Sequence, residues 1–358
     1  MKLLYLFLTL FLASSCKEDE NTPPPPPPPA EQEFIRGADL SFLPEIESYN
    51  QVFYDSAGIA KDMLQIFREA GCNTVRLRLW HTPQDNHSGL AEVAEFSERI
   101  KAAGMKVYLT LHYSDTWADP GKQATPAAWN GLTLTQLRDS VYAYTEKVMA
   151  MIQPEYISIG NEINGGMLWE KGRIENGNSL FQLLGQAIQA IRKANDSTKI
   201  IIHYAGLEGS QWFFEQMASY SLNYDFIGIS YYPFWHGNSL HTMKSAISNL
   251  SVQFDKPVLI AETAYPFILG WNDMTHNSIG LEEQLSPGYP ATPQGQLEFM
   301  ADMKEMLSDV DDCTGFCYWG AEYVAFKGPD ALDGSSWENM ALFDFDNKAL
   351  PVMAVFHE

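Results

Sequence analysis

Residues 73–111 of this chain of 358 residues read NTVRLRLWHTPQDNHSGLAEVAEFSERIKAAGMKVYLTL. The stretch begins and ends with a short, mostly apolar run, Asn73–Leu79 and Lys106–Leu111. Between these runs, Leu90–Ala103 has the apolar spacing of an amphipathic helix. The order strand, helix, strand predicts a unit in which a crossover helix joins two parallel strands.

The same unit recurs along the chain from residue 34 onward. We predict strands at Phe34–Leu40, Asn73–Leu79, Lys106–Leu111, Glu155–Ile159, Lys199–His203, Asp225–Ile229, Pro257–Ala261 and Thr314–Tyr318. Helical periodicity follows at Ile59–Ala70, Leu90–Ala103, Leu134–Ile152, Leu180–Ala194, Gln211–Tyr220, Leu240–Phe254 and Gln294–Leu307, with residues 349–358 as the last outer element. This alternation indicates an α/β fold, a (β/α)8 TIM barrel in a single domain over residues 34–358. A doubly wound open sheet is the alternative, but no GxGxxG motif follows any early strand.

Composition limits the classes of partner. Hydrophobic residues make up 46% of the chain and charged residues 19%, which excludes a disordered or collagen-like protein. Lys and Arg number 23 against 45 Asp and Glu, so the formal net charge is −22. A surface this acidic has no basic stripe to neutralise phosphates, and nucleic acid is therefore not expected as a partner. A neutral or cationic substrate fits best.

The first 33 residues are expected to direct export. Residues 1–15 have a charged start, an apolar core and small residues before Cys16, as in a lipoprotein signal peptide. We predict cleavage before Cys16, lipidation of that residue and anchoring of an exported bacterial lipoprotein to a membrane, at the cell surface or facing the periplasm. Residues 16–33 would be a linker, stiffened by seven consecutive prolines, Pro23–Pro29. A plain signal peptide with an incidental cysteine is the alternative.

The other three cysteines do not indicate a disulfide framework or a zinc site. Cys72, Cys313 and Cys317 are an odd number and have no CxxC spacing. We expect them to be small buried hydrophobic side chains. A bridge between Cys72 and Cys313 stays open as an alternative.

Tryptophans concentrate at the predicted strand ends. Eight of the nine lie at a strand end or in the loop after it, whereas Trp212 lies in a predicted helix. The eight are Trp80, Trp117, Trp129, Trp169, Trp235, Trp271, Trp319 and Trp337. So many large rings on one face would expose much apolar area unless a ligand covers them. A sugar polymer would do so, because the C–H faces of sugar rings stack on indoles.

Two predicted strands are followed by a glutamate. Glu162 follows ISIGN at residues 157–161, and Glu262 follows VLIA at residues 258–261. One such residue is usually a solvated loop residue, but two, after strands three positions apart in the barrel, are expected to face each other across its mouth. Glycoside hydrolysis needs this pair, so we predict Glu162 as the acid/base, with a raised pKa, and Glu262 as the nucleophile. For a retaining mechanism the carboxyl groups should lie about 5–5.5 Å apart.

Longer segments resemble one family of retaining (β/α)8 glycosidases. The placement of GNE at residues 160–162 and of Glu262 is similar to that large group as a whole. Further segments are similar to the arabinogalactan endo-β-1,4-galactanases, glycoside hydrolase family 53: RGADLS (36–41), NTVRLRLW (73–80), LHYSDTWADPG (111–121), residues 160–166 with Trp169, GISYYP (228–233), ETAYP (262–266) and residues 337–351. The resemblance implies an endo-acting hydrolase that cleaves β-1,4-galactosidic bonds in galactan or arabinogalactan by double displacement.

The resemblance also implies roles around the two glutamates. Asn161 would bond the 2-hydroxyl of the sugar at the cleavage point. Arg78 and Tyr231 would hold Glu262 ionised and so lower its pKa. The other substrate-binding candidates are Asp39, Trp80, His81, His112, Asp115, Trp117, Trp235 and Trp319. Among these, Trp319 would lie under the central sugar, and Asp39 and His112 would reach sugar hydroxyls or position Glu162.

A structural Ca²⁺ is implied as well, although no cofactor is required for the chemistry. Bacterial members of the family link the loops after strands seven and eight through this ion. The corresponding positions here are Asp273, His276, Ser278, Ser336 and Glu338. Ser278 and Glu338 stand where the family favours Asn and Asp, which reduces the hard-ligand charge. A polar surface loop without an ion is the alternative.

Three rival functions would each require a different set of residues. A β-mannanase or β-glucanase would keep both glutamates and differ in the loops. A non-catalytic polysaccharide-binding lipoprotein would lose a carboxylate, yet both are present. A metal-dependent hydrolase would show paired histidines, whereas His112 and His203 stand alone. We expect a monomer whose aromatic residues follow a curved cleft suited to a coiled galactan chain.

Overall fold

The chain forms a closed barrel of parallel strands, as the sequence predicts. The computed structural model describes residues 33–358, which form one compact unit. The barrel strands are β1 (Ile35–Asp39), β2 (Thr74–Leu79), β3 (Lys106–Leu111), β4 (Tyr156–Ile159), β5 (Lys199–Ala205), β6 (Phe226–Ser230), β7 (Val258–Thr263) and β8 (Cys313–Tyr318). Each strand pairs with the next in sequence, and β8 closes the barrel on β1. The (β/α)8 prediction is therefore confirmed.

Helices surround the barrel. They are α1 (Leu43–Ser48), α2 (Met63–Glu69), α3 (Leu90–Ala102), α4 (Leu134–Ile152), α5 (Ser179–Ala194), α6 (Ser210–Ser219), α7 (Pro233–His236), α8 (Leu240–Phe254) and α9 (Pro293–Ser308). Short 3-10 helices lie at Ala127–Trp129, Glu282–Gln284, Glu338–Met340 and Pro351–Phe356. The last of these packs beside α9 and occupies the position of an eighth outer helix.

The second helix begins later than its apolar pattern suggests. Periodicity predicts a helix from Ile59, but α2 begins at Met63. The Asp62 side chain accepts a hydrogen bond from the backbone N–H of Gln65, which caps the helix at that point. Immediately before it, Ala60–Lys61 pairs with Phe53–Tyr54 in a small antiparallel hairpin.

Side chains of the strands alternate between two packing layers. In β2, Leu77 and Leu79 pack in the core that lies between sheet and helices. Arg76 and Arg78 point to the other side, into the barrel and its cleft. The barrel interior holds a separate apolar cluster of Ile35, Tyr108, Tyr156, Ile201, Phe226, Leu259, Ala261 and Cys317. The Arg76 guanidinium lies 5.6 Å from the centre of the Tyr108 ring, directly against this cluster.

The predictions for the first part of the chain lie outside the described residues. This applies to the signal peptide at residues 1–15, to lipidated Cys16 and to the proline linker. Within residues 33–358, no helix has the length and apolar character needed to cross a bilayer. Cys72, Cys313 and Cys317 are free thiols here, so the bridge that the sequence left open does not form.

Candidate active site

The turn after β4 places Glu162 at the barrel mouth. Gly160 has φ +81°, and a Cβ atom there would lie 2.4 Å from Cγ2 of Ile163, so only glycine fits. Glu162 itself has φ 47°, in the left-handed region that is unfavourable for a residue with a side chain. The Asn161 side chain supports the turn by donating a 2.9 Å hydrogen bond to the carbonyl of Ala118. The backbone therefore presents the Glu162 carboxyl to the cleft at some conformational cost.

A bulge in β7 turns Glu262 into the barrel. Ile260 packs in the outer core and Ala261 faces the interior, so strict alternation would direct Glu262 toward the helices. The pairing with β6 shifts at this point, because Ile229 lies opposite Ile260 whereas Ser230 lies opposite Glu262. The extra residue in β7 restores the inward direction for Glu262, which is 6% exposed.

The two glutamates form a close pair in which Glu262 is buried and Glu162 is partly exposed. One carboxylate oxygen of Glu162 and one of Glu262 lie within 4.8 Å of each other. Retaining glycosidases hold their carboxyl groups about 5–5.5 Å apart, whereas inverting enzymes need about 6.5 Å or more to admit a water molecule. The geometry therefore suits direct attack on the sugar by one carboxylate.

The electrostatic surroundings act differently on the pKa values of the two carboxyl groups. Burial, and then the negative charge of Glu262, raises the pKa of Glu162 to about 8. Burial also raises the pKa of Glu262, although the Arg76 charge and the Tyr232 hydroxyl oppose the rise. The predicted lowering of the Glu262 pKa is therefore wrong. Because Glu262 has a cation and a hydroxyl donor at hydrogen-bond distance, it ionises before Glu162 does.

Arg76, and not Arg78, contacts Glu262. Its Nη2 atom donates to Oε1 of Glu262 at 2.6 Å and to Oδ1 of Asn161 at 2.9 Å. Its Nη1 atom pairs with Asp39, so two carboxylates share one buried guanidinium. The prediction for Arg78 is wrong because both arginines point inward and only Arg76 reaches the depth of Glu262.

Tyr232, and not Tyr231, completes the support of Glu262. The Tyr232 hydroxyl donates to Oε2 of Glu262 at 2.8 Å. Tyr231 instead donates to the carbonyl of Gly237 at 2.7 Å and packs in the outer core. The strand pattern could have shown this, because Tyr231 continues the outward series of Ile229, whereas Tyr232 lies two residues after inward-facing Ser230.

The pair lies in a cleft of about 730 Å³. Four predicted substrate-binding residues line it besides Arg78 and Asn161: His112, Trp117, Trp235 and Trp319. Trp337, one of the strand-end tryptophans, lines it as well. Residues that the sequence analysis did not select also line the cleft, namely Arg76, Asp119, Tyr232, His236 and Tyr323. The Trp235 and Trp337 rings are nearly parallel, at 11° and 6.2 Å between centres, and Trp235 is 48% exposed. This half of the cleft therefore offers a flat aromatic surface.

Arg78 occupies an aromatic box that also borders the cleft. Its guanidinium carbon lies 4.2 Å from the ring centre of Trp117, 4.6 Å from that of Trp80 and 4.3 Å from that of Phe42. Its Nε atom donates to the Ser88 hydroxyl at 3.0 Å. Arg78 therefore stiffens the indoles of this wall through cation–π contacts while one edge faces the cleft.

Four candidates lie behind the cleft wall and do not line it. Asp39 is 2% exposed and bonds Arg76 and the Ser41 backbone, so the prediction that it reaches sugar is wrong. Asp115 accepts hydrogen bonds from the backbone N–H groups of Thr82 and Ala127 and braces two loops. Trp80 packs edge-on against Trp117, and His81 packs against Trp129 and Tyr144. These four residues shape the wall and are not placed to contact a ligand.

Ser230 and His203 are functional candidates that sequence reasoning missed. Ser230 Oγ lies 2.6 Å from Oε1 of Glu162 and 2.8 Å from Nε2 of His203. His203 Nδ1 lies 3.1 Å from Oδ1 of Asn161. Both ring nitrogens are thus engaged within the protein, so the cluster of Glu162, His203 and Glu262 has no free imidazole lone pair for a metal ion. Their inward positions at the ends of β5 and β6 were the available signal.

The residues predicted to bind calcium lie in two loops that contact each other. The Asp273 carboxylate accepts hydrogen bonds from the backbone N–H groups of Thr275 and Ser335, at 2.6 and 3.0 Å. Glu338 Oε1 accepts from the backbone N–H groups of Asn272 and Asp273, and burial raises the pKa of Glu338 to about 7. His276 packs edge-on against the Trp271 ring.

The acidic and histidine side chains among these calcium candidates do not form a cluster of three. Among residues 33–358, the acidic and histidine atoms that converge within 4.8 Å are those of Glu162, His203 and Glu262. Ser278 and Ser336 pair through their backbones at 2.9 Å and line the cleft. Both Asp273 oxygens accept backbone donors, and Oε2 of Glu338 is buried with no hydrogen-bond partner. These carboxylates alone fall short of the six to eight oxygens that calcium needs.

A close carboxyl pair at the carboxyl end of a (β/α)8 barrel, beneath tryptophans, defines a glycoside hydrolase. The chain belongs to glycosyl hydrolase family 53, whose model matches residues 35–356. An arabinogalactan endo-beta-1,4-galactanase of Cellvibrio japonicus (strain Ueda107) is 35% identical over 342 residues, which cover 90% of this chain and 90% of that protein.

Solved structures agree with this assignment. The GH53 catalytic domain of Ignisphaera aggregans superposes with a TM-score of 0.87 at 36% identity, covering 91% of this chain and 96% of that chain. A structure from work on two fungal beta-1,4-galactanases gives a TM-score of 0.80 at 30% identity, covering 90% and 98%. The similarity spans nearly the whole barrel, so the family resemblance found in the sequence is confirmed.

Proposed function

We propose that this glycosidase is an endo-β-1,4-galactanase that cleaves galactan or arabinogalactan with retention of configuration. The observation that carries the proposal is the separation of Glu162 and Glu262, within 4.8 Å between carboxylate oxygens. The Cellvibrio japonicus relative, which is 35% identical, is an arabinogalactan endo-beta-1,4-galactanase, and this supports the choice of substrate.

In the first step, ionised Glu262 attacks the anomeric carbon while protonated Glu162 gives its proton to the leaving glycosidic oxygen. Arg76 and Tyr232 orient Glu262 through its two oxygens, so the attacking carboxylate cannot rotate away. In the second step, Glu162 removes a proton from water while the water oxygen attacks the anomeric carbon, and the bond from that carbon to Glu262 breaks. Asn161 is held by Arg76 and Ala118 beside the position of the sugar 2-hydroxyl.

The shape of the cleft supports endo action. Aromatic rings follow one another along the cleft from Trp117 through Trp319 and Trp337 to Trp235, with ring centres 4.7 to 6.2 Å apart. A row of rings longer than a single sugar supports binding of an extended chain.

Product analysis tests the substrate and the stereochemistry together. Purified enzyme should release short oligosaccharides from β-1,4-galactan faster than from mannan or cellulose, and NMR of the first products should show the β anomer. Faster hydrolysis of mannan or cellulose would overturn the substrate, and α products would overturn retention. Glu262→Ala with added azide should yield an α-galactosyl azide, because azide then occupies the face of the missing nucleophile.

Calcium is a separate question, which the family resemblance raises. The backbone donors around Asp273 and Glu338 support two loops joined by hydrogen bonds without an ion. The thermal midpoint in excess EDTA should then equal that in millimolar CaCl₂. A rise of several degrees with calcium would instead support the ion.

We also propose, from the sequence alone, that the mature protein is a monomeric lipoprotein anchored through Cys16. Membrane fractions of cells fed labelled palmitate should contain labelled protein, and Cys16→Ser should abolish the label. The soluble enzyme from residue 33 onward should elute as a monomer in light-scattering chromatography. An unlabelled wild-type chain would refute the anchor.

A further inference from the structure

Behind the acid/base lies a chain of buried polar groups that leads away from the substrate. It runs from Glu162 to Ser230 at 2.6 Å, from Ser230 to His203 at 2.8 Å and from His203 to Asn161 at 3.1 Å. It ends at Arg76, whose Nη2 atom donates to Asn161 at 2.9 Å. His203 and Ser230 are fully buried, so no bulk water competes for these bonds.

The end of the chain fixes the proton positions. A guanidinium only donates hydrogen bonds, so the Asn161 atom that faces Arg76 is the amide oxygen. The same oxygen faces Nδ1 of His203, and Nδ1 must therefore carry a hydrogen. Burial and the nearby Arg76 charge hold the pKa of His203 well below its usual range, so the ring is neutral and Nε2 has a lone pair.

Ser230 has one hydroxyl hydrogen and two polar neighbours. The Nε2 lone pair of His203 can only accept, so it takes the Ser230 hydrogen. The 2.6 Å contact between Ser230 Oγ and Glu162 then needs its hydrogen from Glu162. We propose that Ser230 and His203 form a proton-holding relay whose hydrogen bonds are complete only while Glu162 is protonated, which makes both of them positioning residues for the acid.

The relay acts through the reaction cycle and rests on the proposed double displacement. When substrate is bound, the Glu162 hydroxyl must face the glycosidic oxygen, so its hydrogen turns away from Ser230 before it is transferred. The Ser230 hydroxyl then rotates and donates to the carboxylate that the transfer leaves. Nε2 of His203 is left buried without a donor, which disfavours the ionised state of Glu162. When Glu162 takes a proton from water in the second step, Ser230 rotates back and the chain is complete again. The hydrogens of Ser230 and His203 stay on those residues throughout, and only the Glu162 proton is transferred.

Other charged and titratable groups also surround Glu162. Glu262 and Asp119 disfavour its charge, whereas Arg76, which also ends the relay, favours it. Tyr232 contacts Glu262, and burial and the charges of Arg78 and Arg76 hold the pKa of His112 well below its usual range. The relay approaches Glu162 from β5 and β6, so a substitution at His203 leaves these groups in place.

The first test reads the wild-type protein without substrate. Histidine ¹⁵N NMR of the intact enzyme below pH 7 should show His203 as the neutral tautomer with hydrogen on Nδ1 and none on Nε2. An Nε2–H tautomer or an imidazolium would overturn the relay. Because no substrate is present, failure to hydrolyse galactan would refute the proposed function and leave this result unaffected.

The second test compares variants by ¹³C NMR titration of the Glu162 carboxyl, assigned with Glu162→Gln. His203→Phe frees the Ser230 hydrogen for the carboxylate, so the pKa of Glu162 should fall by about one unit, the effect of one net hydrogen bond. His203→Gln should restore the wild-type value, because its amide oxygen can accept from Ser230. An unchanged or raised pKa in His203→Phe would overturn the proposal.

A matched control removes a buried hydroxyl elsewhere in the barrel. Ser158 on β4 is fully buried and bonds the Tyr108 hydroxyl at 2.6 Å, outside the relay. Ser158→Ala should leave the pKa of Glu162 unchanged. An equal fall of the Glu162 pKa in Ser158→Ala would show that the loss of any buried polar group lowers this pKa. That result would overturn the role of His203.

Discussion

The Arg76 guanidinium lies 2.6 Å from Oε1 of Glu262, and the same group pairs with Asp39. Arg76 is 1% exposed, so both carboxylates depend on it for their countercharge inside the barrel. Asn161 accepts from the same Nη2 atom, which ties the nucleophile to the residue before the acid/base. One side chain from β2 thus fixes groups from β1, β4 and β7.

Replacing this guanidinium should destabilise the protein. Arg76→Met leaves the carboxylates of Asp39 and Glu262 buried without a cation, and loss of one partner from a buried ion pair costs about 3–5 kcal/mol. Arg78→Met should have a smaller effect, because Arg78 contacts rings and a hydroxyl but no carboxylate at hydrogen-bond distance. Urea denaturation of both variants at pH 7 measures the difference. Equal losses would contradict the assignment of Arg76.

The two neighbouring tyrosines provide a matched pair for catalysis. Tyr232→Phe removes the 2.8 Å hydrogen bond to Glu262, so kcat should fall by about 10–100-fold, the effect of one hydrogen bond to a charged group. Tyr231→Phe removes only a bond to the Gly237 carbonyl and should change kcat less than about threefold. The reverse order would show that Tyr231 supports the nucleophile.

Activity should follow a bell-shaped pH profile. The reaction needs Glu162 protonated, so activity falls as pH rises through its pKa of about 8. It also needs Glu262 ionised, so activity falls as pH drops through the pKa of Glu262, which burial raises above the ordinary range. Initial rates on galactan between pH 4 and 10 give both limbs of kcat/KM.

A variant identifies the group behind the alkaline limb. Glu162→Gln should lose that limb on an aryl galactobioside, because a good leaving group departs without a proton. Glu162 would not be the acid if the variant kept the wild-type alkaline limb on this substrate. Asp119, which lines the cleft, would then be the next carboxylate to examine.

Trp235 should act in substrate binding and not in the chemical step. Trp235→Ala removes half of the stacked surface with Trp337, so KM for galactan should rise by about tenfold with kcat nearly unchanged. Trp212 is 53% exposed on α6 and provides a control of equal size and similar exposure. Trp212→Ala should leave KM unchanged. If Trp235→Ala instead lowered kcat, and Trp212→Ala did not, the Trp235 ring would lie at the reacting sugar.

The sequence predicted the barrel and the close approach of Glu162 and Glu262, but not the residues that hold these glutamates. Alternation shows that Arg76 and Arg78 share a face, yet their depth depends on how the strands stagger around the closed barrel. Arg76 lies against Tyr108, whereas Arg78 lies against Trp117. This difference in depth is set only when the strands close into a barrel. Glu262 was selected by its position after an apolar strand, although the bulge that turns it inward leaves no mark in the apolar pattern.

The bond between Arg76 and Glu262 has a consequence for recombination. Arg76 belongs to the first four strands and Glu262 to the last four, so neither half of the barrel carries a complete charge set. A chimaera that joins β1–β4 of this chain to β5–β8 of a relative must preserve the depth of both side chains at once. Exchange of half-barrels within the family should therefore depend on whether this contact re-forms, as well as on the fit of the outer helices.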